Sequence, residues 1–214
     1  MTDKGTTPMA NAAFWNKAAK KYAASPIKDI AAYEETLARA RSYLTPQDHL
    51  LEVGCGTGST AIKLAPFVRR ITATDISGNM IAIAKRKITG EGPQNIDFMV
   101  SEINVAMAEA PFDAACAFSL LHLVDDLDQT LLHLRNQIKP GGYLISKTAC
   151  LADMNILVRP MIKVMQMIGK APHVLVFDAA WLEKAVRKAG FDVVETGYFG
   201  TNRSARFIVA RRPS

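Results

Sequence analysis

Short apolar runs alternate with helical segments from Pro46 onward. Apolar runs that are long enough for strands fall at 49–53, 70–74, 96–100, 113–119 and 143–148. Strands that are apolar on both faces are typical of a parallel sheet covered by helices on each side, so these runs predict βαβ units. Two further runs, 191–196 and 205–210, lie close in sequence and are expected to pair antiparallel.

Helical periodicity fills the intervals between these strands. Apolar positions from Phe14 to Leu44 recur at helical spacing and are interrupted at Ser25-Pro26, which predicts two helices within 14–46. A helix with Leu127, Leu131, Leu134 and Ile138 on one face is expected to end at Lys139-Pro140-Gly141-Gly142, and another at 179–189 to end at Gly190. We expect a flexible tail at 1–13, then one domain at 14–214.

Composition restricts the class of protein. The chain has 214 residues, of which 49% are hydrophobic and 21% charged, as in an ordinary globular domain. No stretch approaches the roughly 18 uninterrupted apolar residues of a membrane span, and the first ten residues have no apolar segment of a secretion signal. These features predict a cytoplasmic protein. Cys55, Cys116 and Cys150 lack CxxC spacing, so we expect neither a disulfide framework nor a metal site.

The net charge is +6, but the basic residues are scattered along the chain. Short basic groups such as 85–87 and 211–212 are usually solvated surface, which argues against a nucleic-acid partner. The sequence leaves a homodimer open.

A glycine turn follows the first predicted strand. Leu51-Glu52-Val53-Gly54-Cys55-Gly56-Thr57-Gly58-Ser59 reads as a strand, a turn and a helix start. Glycine at 54 and 56 lets the backbone approach a ligand closely, because a β-carbon there would occupy the space. A nicotinamide fingerprint GxGxxG would need glycine at Ser59.

This segment resembles motif I of the class I S-adenosylmethionine (SAM)-dependent methyltransferases, E/D-x-G-x-G-x-G. The resemblance extends over roughly 48–148 and implies a Rossmann-like, seven-stranded, mostly parallel sheet with helices on both faces and a final antiparallel strand. It implies SAM as the cofactor, with Gly54, Cys55 and Gly56 contacting it through their backbones and Glu52 at the acidic position of the motif.

Later segments resemble further parts of the family pattern. Asp75, after the second strand, is expected to accept the ribose hydroxyls, although alone it would also suit a loop or helix cap. Ser101-Glu102-Ile103 departs from the usual G-D-A, so its adenine contacts are weaker expectations. The cofactor-binding residues that the resemblance implies are Tyr22, Glu52, Gly54, Cys55, Gly56, Asp75, Ile76, Met80, Glu102, Ile103, Ser119 and Leu120.

His122 is the candidate catalytic residue. Residues 112–123 resemble motif IV of small-molecule methyltransferases, in which this position often faces the reacting methyl group. His122 is the one histidine at the carboxyl end of a central strand, where ligands of open α/β sheets collect. A structural histidine is the alternative. No [DN]-P-P-[YF] sequence is present, which argues against exocyclic base amines as acceptors.

The acceptor is expected to be small, and lipophilic or aromatic. Residues 150–177 follow the fifth strand, where relatives build a substrate cover, and their methionine stripe suits a bulky apolar ligand as well as ordinary packing. The same amphipathic stretch is compatible with contact with a membrane surface. Candidate acceptor-binding residues are Tyr33, Lys147, Arg159, Met161, Met165 and His173.

Three functions are consistent with these observations. A small-molecule methyltransferase is favoured. An RNA methyltransferase agrees with the basic net charge, but no long basic patch is present. A catalytically silent SAM-binding module is the third, against which the intact Glu52, glycine turn and Asp75 argue.

Overall fold

The computed structural model describes residues 8–90, 92–200, 203 and 205–214. This part of the chain contains seven strands, seven α-helices and two short 3-10 helices, Ala65–Phe67 and Leu151–Asp153. The helices are α1 (Pro8–Ala24), α2 (Ile30–Arg41), α3 (Ser59–Leu64), α4 (Gly78–Lys87), α5 (Leu127–Gln137), α6 (Val158–Met167) and α7 (Ala179–Lys188). The strands are β1 (His49–Val53), β2 (Arg70–Asp75), β3 (Ile96–Val100), β4 (Phe112–Phe118), β5 (Ile138–Ala149), β6 (Asp192–Gly197) and β7 (Ala205–Arg211).

The strands form one sheet in the order β3-β2-β1-β4-β5-β7-β6. Neighbours from β3 to β5 are parallel, whereas β7 runs antiparallel to both β5 and β6. The predicted α/β, mostly parallel fold and the antiparallel final pair are confirmed. Strand order reverses between β1 and β4, and in open α/β sheets this point opens a crevice at the carboxyl ends of the strands.

Helices cover both faces of the sheet, and each face has its own apolar core. Leu131 and Leu134 of α5 pack with Leu182 and Val186 of α7 on one face. The other face buries Leu37, Ala61, Leu64, Ile81 and Ala84 from α2, α3 and α4. Strands apolar on both faces are a consequence of this three-layer arrangement.

Element boundaries differ from the sequence expectation at α1 and at the junction of α5 with β5. Ile138 and the predicted helix stop at Lys139-Pro140-Gly141-Gly142 belong to the strand, since α5 ends at Gln137. Helix α1 begins at Pro8 rather than near Phe14, so the predicted tail is helical over 8–13, and its first seven residues lie outside the described part. Alanines at 10, 12 and 13 favour helix, which outweighs the polar composition of this stretch. Strand β5 begins at Ile138 instead of Tyr143, because Ile138 already pairs with Phe112 before a register shift in β4.

The capping residues agree with the predicted helix starts. The side chain of Ser77 accepts a hydrogen bond from the backbone N–H of Met80 at the start of α4 (3.2 Å). Asp126 and Asp178 cap α5 and α7 in the same way. Each cap satisfies one of the free N–H groups at a helix start. Among the described residues, no helix has both the length and the apolar character required to cross a bilayer.

Candidate active site

A cavity of about 490 Å³ lies at the carboxyl ends of β1, β2 and β4, the crevice expected from the strand order. Helix α1 and the segment after β5 contribute the opposite wall. Its volume is within the range of small-molecule sites. The lining includes ten of the twelve predicted cofactor residues, namely Tyr22, Gly54, Gly56, Asp75, Ile76, Met80, Glu102, Ile103, Ser119 and Leu120.

Asp75 and the glycine turn meet at the floor of this cavity. The Asp75 carboxylate accepts hydrogen bonds from the backbone N–H of Gly56 (2.9 Å) and of Ser77 (2.8 Å). Burial raises the pKa of Asp75, and these two N–H groups act in the opposite direction. Each carboxylate oxygen keeps a further lone pair, so the group can still accept hydroxyl donors from a ligand.

Gly54 and Gly56 serve different purposes in the turn. Both have positive φ, 65° at Gly54 and 56° at Gly56, a region that favours glycine. A β-carbon at Gly54 would lie 2.7 Å from Leu120 Cδ1, so glycine is needed for this loop to pack against the loop after β4. At Gly56 the atom nearest to the position that a β-carbon would take is Tyr22 Cε1, at 3.7 Å. The Gly56 backbone is therefore open to the cavity.

Glu52 is a buried carboxyl group directly below the turn. Its side chain is 2% exposed, and Oε2 has no hydrogen-bond partner among the described residues. Burial, together with the nearby charge of Asp75, raises the pKa of Glu52 to about 8. Cys55 is also buried rather than part of the lining, and burial raises the pKa of its thiol. An unpartnered carboxyl beside a cavity is suited to a cationic group.

Apolar side chains line the end of the cavity where the nucleoside base is predicted to bind. Met80 is 2% exposed, and Ile76, Ile103 and Phe118 lie beside it in the lining. Glu102 also lines the cavity but is exposed to solvent. The Glu102 and Ile103 roles stay predictions.

The loop after β4 carries the strained residue of the site. Ser119 has φ 53°, which is uncommon for a residue other than glycine, and its N–H donates to the carbonyl of Lys147 in β5 (2.8 Å). This hydrogen bond to the neighbouring strand holds the strained conformation, which exposes the Ser119 backbone in the cavity. Such strain is often found at binding sites.

His122 lines the cavity three residues further along the chain. Its Nδ1 is buried without a hydrogen-bond partner in the described part of the chain, and burial lowers the pKa of the ring to about 4. The imidazole is therefore neutral at pH 7. A neutral ring can exchange a hydrogen bond with a ligand, but with so low a pKa it is a weak general base.

Several lining residues were not predicted from the sequence. Asn11 and Trp15 come from α1, and Leu151, Ile162, Ala171, Pro172 and Val174 come from the segment after β5. Trp15 belongs to the aromatic Phe14-Trp15 pair at the start of the chain, which was a usable signal. The others carry no motif, because their position depends on how this segment folds back over the sheet.

The six residues predicted to bind the acceptor do not line the cavity: Tyr33, Lys147, Arg159, Met161, Met165 and His173. Tyr33 is hydrogen-bonded to Thr60 (3.2 Å), and Lys147 donates to Thr36 of α2 (2.9 Å), on another side of the fold. Arg159 donates to the carbonyl of Ala152 (3.3 Å) and is exposed.

The geometry of the segment after β5 explains why Met161, Met165 and His173 do not line the cavity. In α6 the cavity-lining residue is Ile162, and the neighbouring Met161 is rotated by about 100° around the helix axis, into solvent. Met165 follows on the same side as Met161. His173 lies between the lining residues Pro172 and Val174 but is not itself part of the lining.

The cavity fits the expected cofactor. The lining supplies the open backbone at Gly56, the acceptor at Asp75 and the apolar wall at Met80, which suit an adenosyl group. The unpartnered acid Glu52 is buried outside the lining, two residues before Gly54 in the chain.

Comparison with known proteins identifies a family. A model described as a methyltransferase domain matches residues 19–196. The hybrid PKS-NRPS synthetase fsa1 of Fusarium sp. is 29% identical over 108 residues, which are 47% of this chain and 3% of that protein. Malonyl-[acyl-carrier protein] O-methyltransferase of Priestia megaterium is 28% identical over 137 residues, 63% of this chain and 49% of that protein. The chain thus spans half or less of the length of these curated relatives.

Solved structures share the fold. The DhpI-SAH complex has a TM-score of 0.75 at 19% identity, covering 99% of both chains. Magnesium protoporphyrin IX methyltransferase (ChlM) from Synechocystis PCC 6803 with bound SAH has a TM-score of 0.70 at 19% identity, covering 94% of this chain and 95% of that one. With the family model and the site geometry, they lead to one conclusion: the chain belongs to the class I SAM-dependent methyltransferases, and SAM is its cofactor.

Proposed function

We propose that the chain transfers the methyl group of SAM to a small, lipophilic acceptor. The observation that carries the proposal is that one cavity is polar at Gly54, Gly56 and Asp75 and apolar around Leu151, Ile162 and Val174. A single cavity with two such ends can hold a polar cofactor and an apolar acceptor side by side.

The cofactor end is assigned residue by residue. Asp75 accepts the ribose hydroxyls, and Met80 and Ile103 enclose the base. Glu52 and the backbone at Ser119 take the ammonium end. Support comes from the Asp75–Gly56 hydrogen bond and from the unpartnered Oε2 of Glu52, since both put acceptor atoms beside the glycine turn.

The bound cofactor supplies a sulfonium-activated methyl group, so the chain mainly has to align the two reactants. Alignment at near-attack distance can contribute about 7 to 11 kcal/mol. Trp15 of α1 and Ile162 of α6 enclose the cavity and limit the access of water. His122, which is neutral and lies in the cavity wall, orients the acceptor by a hydrogen bond rather than by removing a proton.

The lining also restricts the acceptor. No lysine or arginine is among the lining residues in the described part of the chain, so an anionic group on the acceptor would have no cation to pair with. Lys147, Arg159 and His173, which lie outside the lining, are therefore not assigned to the acceptor.

Label transfer from SAM tests the proposal. Purified protein is incubated with methyl-labelled SAM and a metabolite extract, and separately with total RNA. We expect label in products that partition into an organic solvent. Asp75→Ala should weaken SAM binding at least about tenfold, or about 1.4 kcal/mol, in calorimetry. Exposed Asp192→Asn, on β6, is the matched control with unchanged affinity.

Each other outcome has a distinct meaning. Label in RNA alone would replace the proposal with RNA methylation. Calorimetric SAM binding without any label transfer would favour a silent SAM-binding module. Unchanged SAM affinity in Asp75→Ala would remove Asp75 from the ribose site.

A further inference from the structure

Helix α6 exposes an apolar stripe on the side away from the cavity. Leu157, Met161, Val164 and Ile168 recur at spacings of three and four, which places them on one helix face, and each is between 54% and 70% exposed. Ile162, about a quarter-turn or more away, lines the cavity instead. No residue of α6 is buried, so this helix lies on the protein by one edge and leaves its main apolar face to solvent.

The charge around this stripe has a single sign. Between Met154 and Phe177 the sequence contains Arg159, Lys163 and Lys170 but no aspartate or glutamate. All three cations are exposed, and none forms an ion pair with another residue that the structure describes. The nearest acidic residues in sequence are Asp153, which accepts from the N–H of Ala179, and Asp178, which caps α7.

We propose that the outer face of α6 binds an anionic lipid surface. At about 100° per residue, Met167, which is 83% exposed, lies between the stripe and Lys163, so this cation borders the exposed apolar face of α6 on one side. An exposed apolar helix face with cations beside it is the pattern by which helices lie in the headgroup region: the apolar side chains enter the acyl boundary while the cations pair with lipid phosphates. A second copy of the chain fits less well, because a symmetric contact through α6 would bring like charges together.

Lipid binding would place the cavity next to a source of acceptor. Ile162 lines the cavity from the same helix whose opposite side carries the stripe. A lipophilic acceptor dissolved in a bilayer would then reach the protein at α6, rather than from water. This link to the acceptor rests on the proposed function, whereas lipid binding by α6 does not.

Vesicle co-flotation of the full chain tests the proposal without any methyl transfer. Neutral phosphatidylcholine vesicles are compared with vesicles that contain about 30 mol % phosphatidylglycerol. We expect flotation with the anionic vesicles and its loss as salt rises from about 50 mM to about 500 mM, because salt screens the cationic contribution.

Two variants separate the stripe from general surface hydrophobicity. Leu157→Ser with Ile168→Ser should lower partitioning into anionic vesicles at least about tenfold, since two apolar anchors are removed. The matched control is Leu132→Ser with Val194→Ser, which changes two half-exposed apolar residues on α5 and β6 and should bind like wild type. Calorimetric SAM affinity should be the same in both variants, which checks that each is folded.

The proposal fails if neither vesicle type floats the protein, or if the stripe and control variants partition equally. It also fails if light scattering without vesicles shows a dimer that Leu157→Ser with Ile168→Ser dissociates, since the stripe would then bind a second copy. Stripe-dependent binding of a purified acidic acyl carrier protein, without vesicle binding, would reassign the surface to a protein partner. Failure of label transfer would affect only the proposed function.

Discussion

At the scale of single residues, the Glu52 carboxyl has the least common environment in the site. It is buried, faces the negative charge of Asp75 and leaves one oxygen without a partner among the described residues. Burying a carboxylate without a cation costs free energy, so the empty protein holds Glu52 protonated up to a pKa of about 8. The ammonium of a bound cofactor would supply the missing positive charge.

This raised pKa makes the stability of the empty protein depend on pH. The unfolded chain ionises Glu52 near 4.5, whereas the folded chain does so near 8. The folded state binds the proton more tightly, so Glu52 makes the free energy of unfolding fall as pH rises from about 4.5 to about 8, by at most about 1.4 kcal/mol per pH unit. Below this window, and above it, the contribution is constant.

Glu52→Gln removes this dependence. We expect the variant to gain stability relative to wild type between about pH 5 and about pH 8, as measured by urea unfolding of the cofactor-free protein. Glu35→Gln, at an exposed position on α2, should show no such gain. A constant difference between Glu52→Gln and wild type across this range would contradict the raised pKa.

Most of the cofactor-binding residues could be predicted from the sequence, because each lies within a short segment at the end of a strand. The glycine turn and Ser119 each follow a strand directly, Asp75 is the last residue of β2, and the carboxyl ends of parallel strands meet at one edge of the sheet. The acceptor residues were harder to predict, because the orientation of Met161 against Ile162 depends on how α6 is set on the domain. Helical spacing shows that a stripe exists, but not which way it faces.

At the scale of elements, α1 acts as a wall that is fastened to the cofactor loop. The side chain of Asn16 accepts hydrogen bonds from the Ser77 hydroxyl (2.8 Å) and from the Asn79 N–H (3.1 Å). Asn79 Nδ2 donates to the Asn16 carbonyl (2.9 Å). Ser77 also donates its N–H to Asp75, so the attachment of α1 and the ribose acceptor share one turn.

Asn16→Ala should loosen this wall without harming the fold. Two side-chain hydrogen bonds are lost, each contributing about 1 kcal/mol, so we expect the demethylated cofactor SAH to dissociate faster, by at most roughly thirtyfold. Stopped-flow displacement measures this rate. Lys17→Ala, at the exposed next residue of the same helix, is the control and should match wild type. An unchanged dissociation rate in Asn16→Ala would show that α1 does not retain the ligand.

The helices show where local signals suffice. Ser77, Asp126 and Asp178 cap α4, α5 and α7 close to the expected starts, because a capping side chain acts within three residues of itself. The hydrogen bonds of Asn16 join residues about sixty positions apart. No pattern within a helix contains that information.

At the scale of the whole molecule, the sheet couples the site to the core. β1, β2 and β4 end in the cofactor loops, while their side chains fill the cores on both faces. The parallel fold followed from apolar runs and motifs spread over about half of the chain. The position of β7 between β5 and β6 could not be predicted in this way, because the pairing of the last two strands leaves open which of them joins the rest of the sheet.

The two tryptophans of the chain test whether this coupling extends to α1. Trp15 lies in the cavity wall on α1, whereas Trp181 stacks on Phe177 at the start of α7 (ring centroids 5.3 Å apart). Trp181→Phe leaves fluorescence from α1 alone, and Trp15→Phe leaves fluorescence from α7 alone. Because Ala19 of α1 and Leu182 of α7 are both fully buried, we expect the two variants to give coincident fluorescence and circular-dichroism transitions in urea.

The demethylated cofactor SAH extends this test to the site itself. At about a hundredfold excess over its Kd, a ligand that binds only the folded state adds about 2.7 kcal/mol to the free energy of unfolding. If α1, the cofactor loops and the sheet unfold as one unit, both tryptophan reporters shift by this same amount. The alternative is that the Trp15 transition comes at a lower urea concentration and that SAH shifts only this transition. In that case α1 would be a lid that unfolds separately, because SAH would stabilise the attachment of α1 at Asn16 rather than the sheet. Comparison with Asn16→Ala distinguishes the two cases, because only a separate lid would unfold earlier when that attachment is removed while the Trp181 transition stays in place.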